Sequence, residues 1–411
     1  MKKEMLQKYA RLLVRVGVAI QKGQILVISA PVEQYMFVRL VEEQAYLAGA
    51  GGVEVNWEDG MLRRFALQHE ADERVQTVMP WVVSRKEQQQ KEGAAFLRIN
   101  MPDPDLLSGL DDKKVAAQTK ATRQAFQHLE GYLLGNYGQW CVAAVSAPAW
   151  AHKIFPHEPV EEAVDHLWEV IFKTVRLDAD HDPLEAWEQH NAYIHAHCAF
   201  LNEAAFSYLH FENELGTDLT VHLPQGHIWG GGSAKALDNG AVFQPNMPTE
   251  EVFTTPHRLH VDGIVYASRP LVYQQRVIEN FWLRFKGGVV VDYACEKGKE
   301  VLEEILSADE HSRSLGEVAL VPYDSPISRM PFLFYDTLFD ENASCHLALG
   351  TSYPGQIQGG EKMSREELLA HGGNVSLVHV DFMFGSRLMQ VIGYKADGTA
   401  VTIFHDGNFV I

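Results

Sequence analysis

The chain has 411 residues, 46% of them hydrophobic and 22% charged, with a formal net charge of −19 when histidine is neutral. That composition is globular, and the length exceeds one ordinary core, so two domains are expected. The acidic balance argues against a nucleic-acid binder, which needs a basic face to meet phosphates, and equally against docking on anionic membranes.

In chain order, "MKKEMLQKYARLLVRVGVAI" reads as an amphipathic first helix over about residues 3–20, not as a signal peptide: it lacks a long apolar core and a small-residue cleavage site. "QILVISA" (24–30) reads as a buried strand. "YMFVRLVEEQAYLAGAGG" is a helix with a glycine stop, and "VEVNW" (53–57) a second strand. "AAFLRIN" (94–100) is a strand, "KKVAAQTKATRQAFQHL" a helix and "WCVAAVSAP" a strand. Alternating strands and helices predict an open, largely parallel sheet with helices on its faces. One long helical stretch is expected from about 159 to 206.

After about residue 207 strands dominate: "YLHFEN", "DLTVHL", "HRLHVDGIVYA" and "VIENFWLRFKGGVVVDYA", with Gly, Asn and Asp in the turns. "GKEVLEEILS" is the one clear helix, and the chain closes on "LVHVDFMF", "MQVIGY" and "AVTIF". The fold class is therefore an α/β N-terminal domain with a mostly parallel sheet, followed by a β-rich α+β domain. The change of character falls near 180–207. It divides the chain into an α/β domain with a helical extension (1–195) and a second domain (196–411). No segment reaches the roughly 18 apolar residues a membrane span needs. Cys141, Cys198, Cys295 and Cys345 are scattered without a CxxC spacing, which fits free thiols in a reducing cytosol and excludes a cysteine-rich zinc knot.

Several familiar motifs are missing. There is no GxGxxG after the first strand, no GxxxxGK[ST] and no HExxH. "GGGSAK" (230–235) reads as a flexible loop. "GTSYP" (350–354) misses the nucleophile-elbow pattern at Pro354, so a serine hydrolase is not expected. "HAHC" (195–198) lies in a helical run, where residues two apart face different ways.

What remains is a set of acidic and imidazole groups in apolar or turn settings. "LVHVDFMFG" (377–385) is greasy apart from His379 and Asp381, which a strand would place on one face. "NMPTEEVFTTP" (246–256) puts Glu250 and Glu251 before Val-Phe, and "LGEVALVP" (315–322) embeds Glu317. "DENASCHLALGTSYPG" (340–355) offers Glu341, His346 and Tyr353. Singly, each has a bland reading: a solvated edge carboxylate, an internal His–Asp hydrogen bond, a packed tyrosine. Together, several carboxylates and two imidazoles suit a pair of divalent ions bound through O and N, and without cations they would repel one another.

The strings "NMPTEEVFTTP", "ENASCHLALGTSY" and "HVDFMFGS" resemble, in order, signatures of the aminopeptidase T/aminopeptidase S/PepS family of dinuclear metallo-aminopeptidases. The likeness extends nearly end to end. The resemblance implies metal ligands at Glu251 (favoured over Glu250), Glu317 as a bridging ligand, Glu341, His346, His379 and Asp381, with Tyr353 the catalytic tyrosine. It makes 196–411 the metal-binding catalytic domain. The implied cofactors are two divalent ions, Zn, Co or Mn, about 3.5–4 Å apart and sharing a hydroxide. That hydroxide would release N-terminal amino acids from short peptides, with Glu251 or Glu317 carrying the proton and Tyr353 bonding the oxyanion. A cytoplasmic homodimer, with small peptides as the partners and neither nucleic acid nor membrane, completes the expectation. The alternatives are a metal-dependent amidohydrolase that deacylates N-acyl amino acids and a non-catalytic peptide-binding protein.

Overall fold

A computed structural model describes residues 2–274 and 276–411. They form two compact units: residues through Gln189 with Ser233–Pro248, and His190–Gly232 with Thr249–Ile411. The segment 233–248 thus lies in the later half of the sequence but in the first unit of the structure.

The first unit is built on strands β1 (Ile25–Pro31), β2 (Gly52–Glu58), β3 (Ala95–Asn100) and β4 (Trp140–Ala144). They lie in the order β2-β1-β3-β4, all parallel, and the short strand Asn246–Met247 adds in parallel beside β4. Leu26, Val27 and Ile28 are consecutive and all buried, as expected where helices cover both faces of a parallel sheet. The helix Tyr35–Ala48 ends at Gly49, whose φ of 99° lets its N–H turn back to the carbonyls of Ala45 and Tyr46. The helical stretch expected over 159–206 is two helices, Val160–Thr174 and Pro183–Ala204. The interruption has a local cause. Pro183 fits the first turn of a helix, and Asp182 Oδ1 accepts the Leu184 N–H at 3.0 Å. Among the described residues, no helix is long and apolar enough to cross a membrane.

Among the described residues the second unit has two large antiparallel sheets and a short two-stranded one, Leu271–Tyr273 with Arg276–Ile278. The larger has eight strands; its middle members include Asp218–His222, Tyr208–Glu212 and Gln390–Tyr394. The smaller is formed by β5 (Val252–Thr254), β6 (Leu315–Leu320), β7 (His346–Gly350) and β8 (His379–Met383), in that order. Val318, Leu320, Leu347, Leu349, Val380 and Phe382 of the smaller sheet join one buried cluster with Leu209, Phe211, Val221 and Val391 of the larger. One face of the small sheet is thereby committed to the core.

Strand alternation leaves the other face for polar groups. Its cross-strand rows read Glu317–Ala348–Asp381, Ala319–His346–Met383 and Gly350–His379. Ala319, Ala348 and Gly350 are small, so the space above them is left to the functional side chains. Glu317 reaches this face only through a bulge: the register shifts between Leu315, opposite Leu349, and Glu317, opposite Ala348. The extra residue is Gly316, and it inverts the alternation so that Leu315 enters the core while Glu317 faces away from it. A Cβ on Gly316 would lie 2.2 Å from the Thr351 carbonyl oxygen and 2.4 Å from that of Gly350. Gly316→Ala is expected to destabilise the protein by about 1–3 kcal/mol, the usual range for overpacking, and to lower its metal content. Urea unfolding and elemental analysis of the same samples check both effects.

Candidate metal centre

The site lies within the second unit. Glu317 from β6, His346 from β7, and His379 with Asp381 from β8 share one sheet face, and Glu251 arrives on the residue before β5. His346 Nε2 lies 3.2 Å from Glu251 Oε2 and 3.6 Å from Glu317 Oε1. His379 Nε2 lies 3.3 Å from Glu317 Oε2 and 3.3 Å from Asp381 Oδ1. These make two clusters, Glu251/Glu317/His346 and Glu317/His379/Asp381, each with its ligand atoms mutually within 4.8 Å. Glu317 is common to both and gives one oxygen to each.

Hydrogen bonding to the backbone sets the direction of the imidazole lone pairs. His346 Nδ1 donates to the Ser344 carbonyl at 3.1 Å, and His379 Nδ1 donates to the Thr351 carbonyl at 2.8 Å. In each neutral ring the proton is then on Nδ1, and the Nε2 lone pair is aimed at carboxylate oxygens. Acceptor facing acceptor is repulsive, and only a proton or a metal cation relieves it. Asp381 Oδ1 is buried and, although 3.3 Å from His379 Nε2, makes no hydrogen bond. Ligand atoms arranged tetrahedrally around an ion with bonds of 2.0–2.1 Å stand about 3.3 Å apart, close to the separations seen here. The donor set therefore fits a divalent ion, and the carbonyls behind each Nδ1 are the supporting contacts such ligands need.

Glu341 and Tyr353 stand beside the clusters and do not complete either. Glu341 sits in the short turn Glu341–Ala343 after the helix Thr337–Asp340. Burial, then the charges of Asp381 and Glu251, push its carboxyl well above the usual range. Burial also raises Glu251. Asp381 is opposed by burial, but His379 outweighs that and lowers it. Tyr353 is 38% exposed, so a substrate can reach it, and its ring meets that of His379 edge-on at 5.0 Å. Burial, then Glu317 and Asp381, hold its phenol well above the ordinary value, so it remains a donor.

Sequence reasoning missed the residues that hold this arrangement in place. The peptide between Thr249 and Glu250 is clamped from both sides: His190 Nε2 donates to the Thr249 carbonyl at 2.8 Å, and Asn342 Oδ1 accepts the Glu250 N–H at 2.7 Å. That clamp sets where Glu251 begins. Glu250 itself lies toward His190, its Oε2 3.8 Å from Nε2, and belongs to neither cluster. Asn374 is fully buried and donates to the carbonyls of Gly350 at 2.6 Å and His311 at 2.9 Å. It fixes the end of β7 from which Tyr353 follows. Asn342 was visible inside "ENAS", where only its neighbour Glu341 drew notice; Asn374 gave no local signal. His195, His197 and Cys198 lie along the helix Pro183–Ala204, and none joins a cluster.

Two three-ligand clusters sharing a carboxylate, on one face of a four-stranded sheet, fit a divalent-metal enzyme. The profile of the thermophilic metalloprotease (M29) family matches residues 2–409. The chain belongs to that family, and so to the metal-dependent hydrolases of peptide bonds. It is 45% identical to aminopeptidase AmpS of Bacillus subtilis over 404 residues, covering 98% of each chain. To aminopeptidase T of Thermus aquaticus it is 43% identical over 99% of each. The solved structure of wild-type AmpT from Thermus thermophilus superposes with a TM-score of 0.94 over the whole of both chains at 41% identity. Membership implies a divalent metal and sets aside the deacylase and non-catalytic alternatives.

Without a cation, burial pulls His346 and His379 toward neutrality, but the facing carboxylates outweigh it and hold both well above the usual imidazole range. Protons and an entering metal therefore compete for the same Nε2 lone pairs. Affinity for a divalent ion is expected to fall as pH falls, about tenfold per pH unit for each proton displaced. Calorimetry at several pH values, in buffers of different ionisation heat, reads both the affinity and the proton count; a pH-independent affinity would contradict the assignment.

Proposed function

We propose that this protein is a metal-dependent aminopeptidase that releases N-terminal residues from short peptides. It would use two divalent cations held by Glu251, Glu317, Glu341, His346, His379 and Asp381, within a catalytic unit formed by 190–232 and 249–411. The observation that carries the reading is Glu317, whose two oxygens face two different imidazole lone pairs. Charge supports the number of ions: with the histidines neutral, four carboxylates bring four negative charges, which two divalent cations balance. Mixed carboxylate and imidazole ligands suit zinc, cobalt or manganese.

When bound, the ions supply Lewis acidity, acidifying water and polarising a carbonyl. The chain's own groups do the rest. Glu317 offers both oxygens to the imidazoles, whereas Glu251 offers one. Glu251 is therefore the better group to take the proton of the attacking water and return it to the leaving amine. Tyr353, kept protonated, donates to the oxygen that gains charge as the carbonyl carbon becomes tetrahedral. The acidic surroundings favour a free α-ammonium on the substrate and offer nothing to an N-acylated end. Cys141, Cys198, Cys295 and Cys345 are all unpaired, which fits the reducing cytosol. The family resemblance adds a homodimer, and sedimentation would read that state directly.

The first test compares leucine p-nitroanilide with its N-acetyl form after chelation and add-back of Zn²⁺, Co²⁺ or Mn²⁺. Turnover should need the metal and the free amine, and equal rates on the two substrates would overturn the aminopeptidase reading. Tyr353→Phe should keep its metal and lose about 10²–10³ in kcat, the usual effect of removing an oxyanion donor; a metal-replete mutant with full activity would refute that role. Glu317→Gln should lower the metal content at both positions, measured by elemental analysis, because each cluster loses its shared ligand.

A further inference from the structure

The first unit has a cleft that the metal chemistry does not use. The helix Asp112–Phe126 buries none of its 15 residues, so it closes over its neighbours without filling the space between them. Between it, the helices Gly60–His69 and Pro80–Lys91 and the end of β2 lies an open cleft of about 830 Å³, within the range of small-molecule sites. In a chain of net charge −19, this cleft gathers cations: Arg63, Lys86 and Arg123 line it, against Glu58 and Glu130. Glu58 is already committed, because Arg98 of β3 grips both its oxygens, Nη1 to Oε1 at 2.9 Å and Nη2 to Oε2 at 3.0 Å. Arg63 Nε donates to Gln118 Oε1 at 2.9 Å, which orients the guanidinium. The Lys86 ammonium lies 5.3 Å over the Phe126 ring. Among the described residues no carboxylate makes an ion pair with Arg63 or Lys86. Partial burial, offset in part by Glu58, lowers the Arg63 pKa; partial burial and then the charge of Arg98 lower that of Lys86. An anion in the cleft would relieve both.

We propose that this cleft is a binding site for a small organic carboxylate with an apolar body, and that Arg63 and Lys86 hold the carboxylate group. All of its lining belongs to the first unit, so it shares no residue with the metal centre. The proposal goes beyond the peptidase reading and does not depend on it.

The chemistry of the lining decides the class. A guanidinium offers a planar fork that matches a carboxylate, and an ammonium adds a compact charge. Val78, Phe126 and Leu133 line the cleft and are only half-buried. Their remaining exposed carbon would leave water when an apolar body covers it. A phosphate monoester is served less well. Phosphate sites present several backbone N–H groups, from a glycine-rich turn or a helix N-terminus. This lining contains no glycine, and at the helix start beside it Asp59 already accepts the Leu62 N–H at 3.0 Å. Glu58 and Glu130 also oppose a second negative charge. A nucleic-acid strand would meet the same two carboxylates and the acidic balance of the whole chain.

The test uses the whole, metal-loaded protein, with 4-phenylbutyrate as the probe and calorimetry as the readout. The acid should bind about tenfold or more tightly than its neutral amide, because charge-assisted hydrogen bonds are roughly twice as strong as neutral ones. It should exceed acetate by a similar factor, since acetate brings the charge without the apolar body. Phenyl phosphate and inorganic phosphate form a second arm and should bind more weakly than the acid. Arg63→Gln and Lys86→Gln should each weaken binding of 4-phenylbutyrate about tenfold, whereas Lys86→Arg, which keeps the charge, should retain it. Circular dichroism and metal content show that each variant is folded and loaded. A carboxylate can also bind metal ions, and the variants separate the two sites: affinity unchanged in both Arg63→Gln and Lys86→Gln proteins places the probe elsewhere and overturns the proposal. Equal affinity for the acid and its amide, tighter binding of phenyl phosphate, or no binding at millimolar probe would overturn it as well.

Discussion

Two imidazole lone pairs aimed at buried carboxylate oxygens are the constraint on which the second unit turns. Backbone carbonyls at Ser344 and Thr351 take the Nδ1 protons and leave Nε2 facing Glu251, Glu317 and Asp381. The carboxylates that face each Nε2 are acceptors and cannot supply the missing proton unless they carry one themselves. The cluster carries protons or binds cations, and the two compete. Folding thus builds a site whose electrostatics favour a cation or a proton, and any metal that enters competes with protons for the imidazoles.

Holding such a cluster together requires a rigid platform, and the four-stranded sheet supplies one. Its inner face is fixed by Leu347, Leu349, Val380 and Phe382 in the core, so its outer face has little freedom. Small residues at Ala319, Ala348 and Gly350 leave room above the sheet, while the Gly316 bulge delivers Glu317 to it. Glu251 and Glu341 come from outside the sheet and need separate anchoring. Asn342 supplies it for both, since it follows Glu341 directly and accepts the Glu250 N–H. Sites placed on strands and braced by a second layer of hydrogen bonds hold the ångström-level geometry that metal-assisted hydrolysis needs.

The pairing of His379 with Asp381 was legible in the chain because strand alternation is a local rule: residues two apart share a face wherever the strand lies. The parallel sheet of the first unit was legible for a similar reason, in the alternation of apolar runs with amphipathic helices. The break at Val175–Asp182 was less visible, because apolar spacing continues on both sides and only Asp182-Pro183 marks it. Glu317 posed a harder case. Read by simple alternation it shares a face with Leu315; the bulge at Gly316 reverses this, and a bulge depends on the partner strand. Asn374 was wholly hidden, since its value lies in three carbonyls brought to it from elsewhere in the chain.

By itself, then, the sequence determined the two-part architecture, the absence of a nucleotide fingerprint, and, through three short strings, the kinship and the residue types available for metal chemistry. These follow from local periodicity, composition and motif spacing, all of which are properties of neighbours along the chain. The tertiary structure alone decided that Glu251, Glu317, His346, His379 and Asp381 converge, which oxygen of Glu317 faces which imidazole, and that residues 233–248 return to the first unit. Convergence of groups more than a hundred residues apart is fixed by sheet register and core packing, and neither is encoded at any single position.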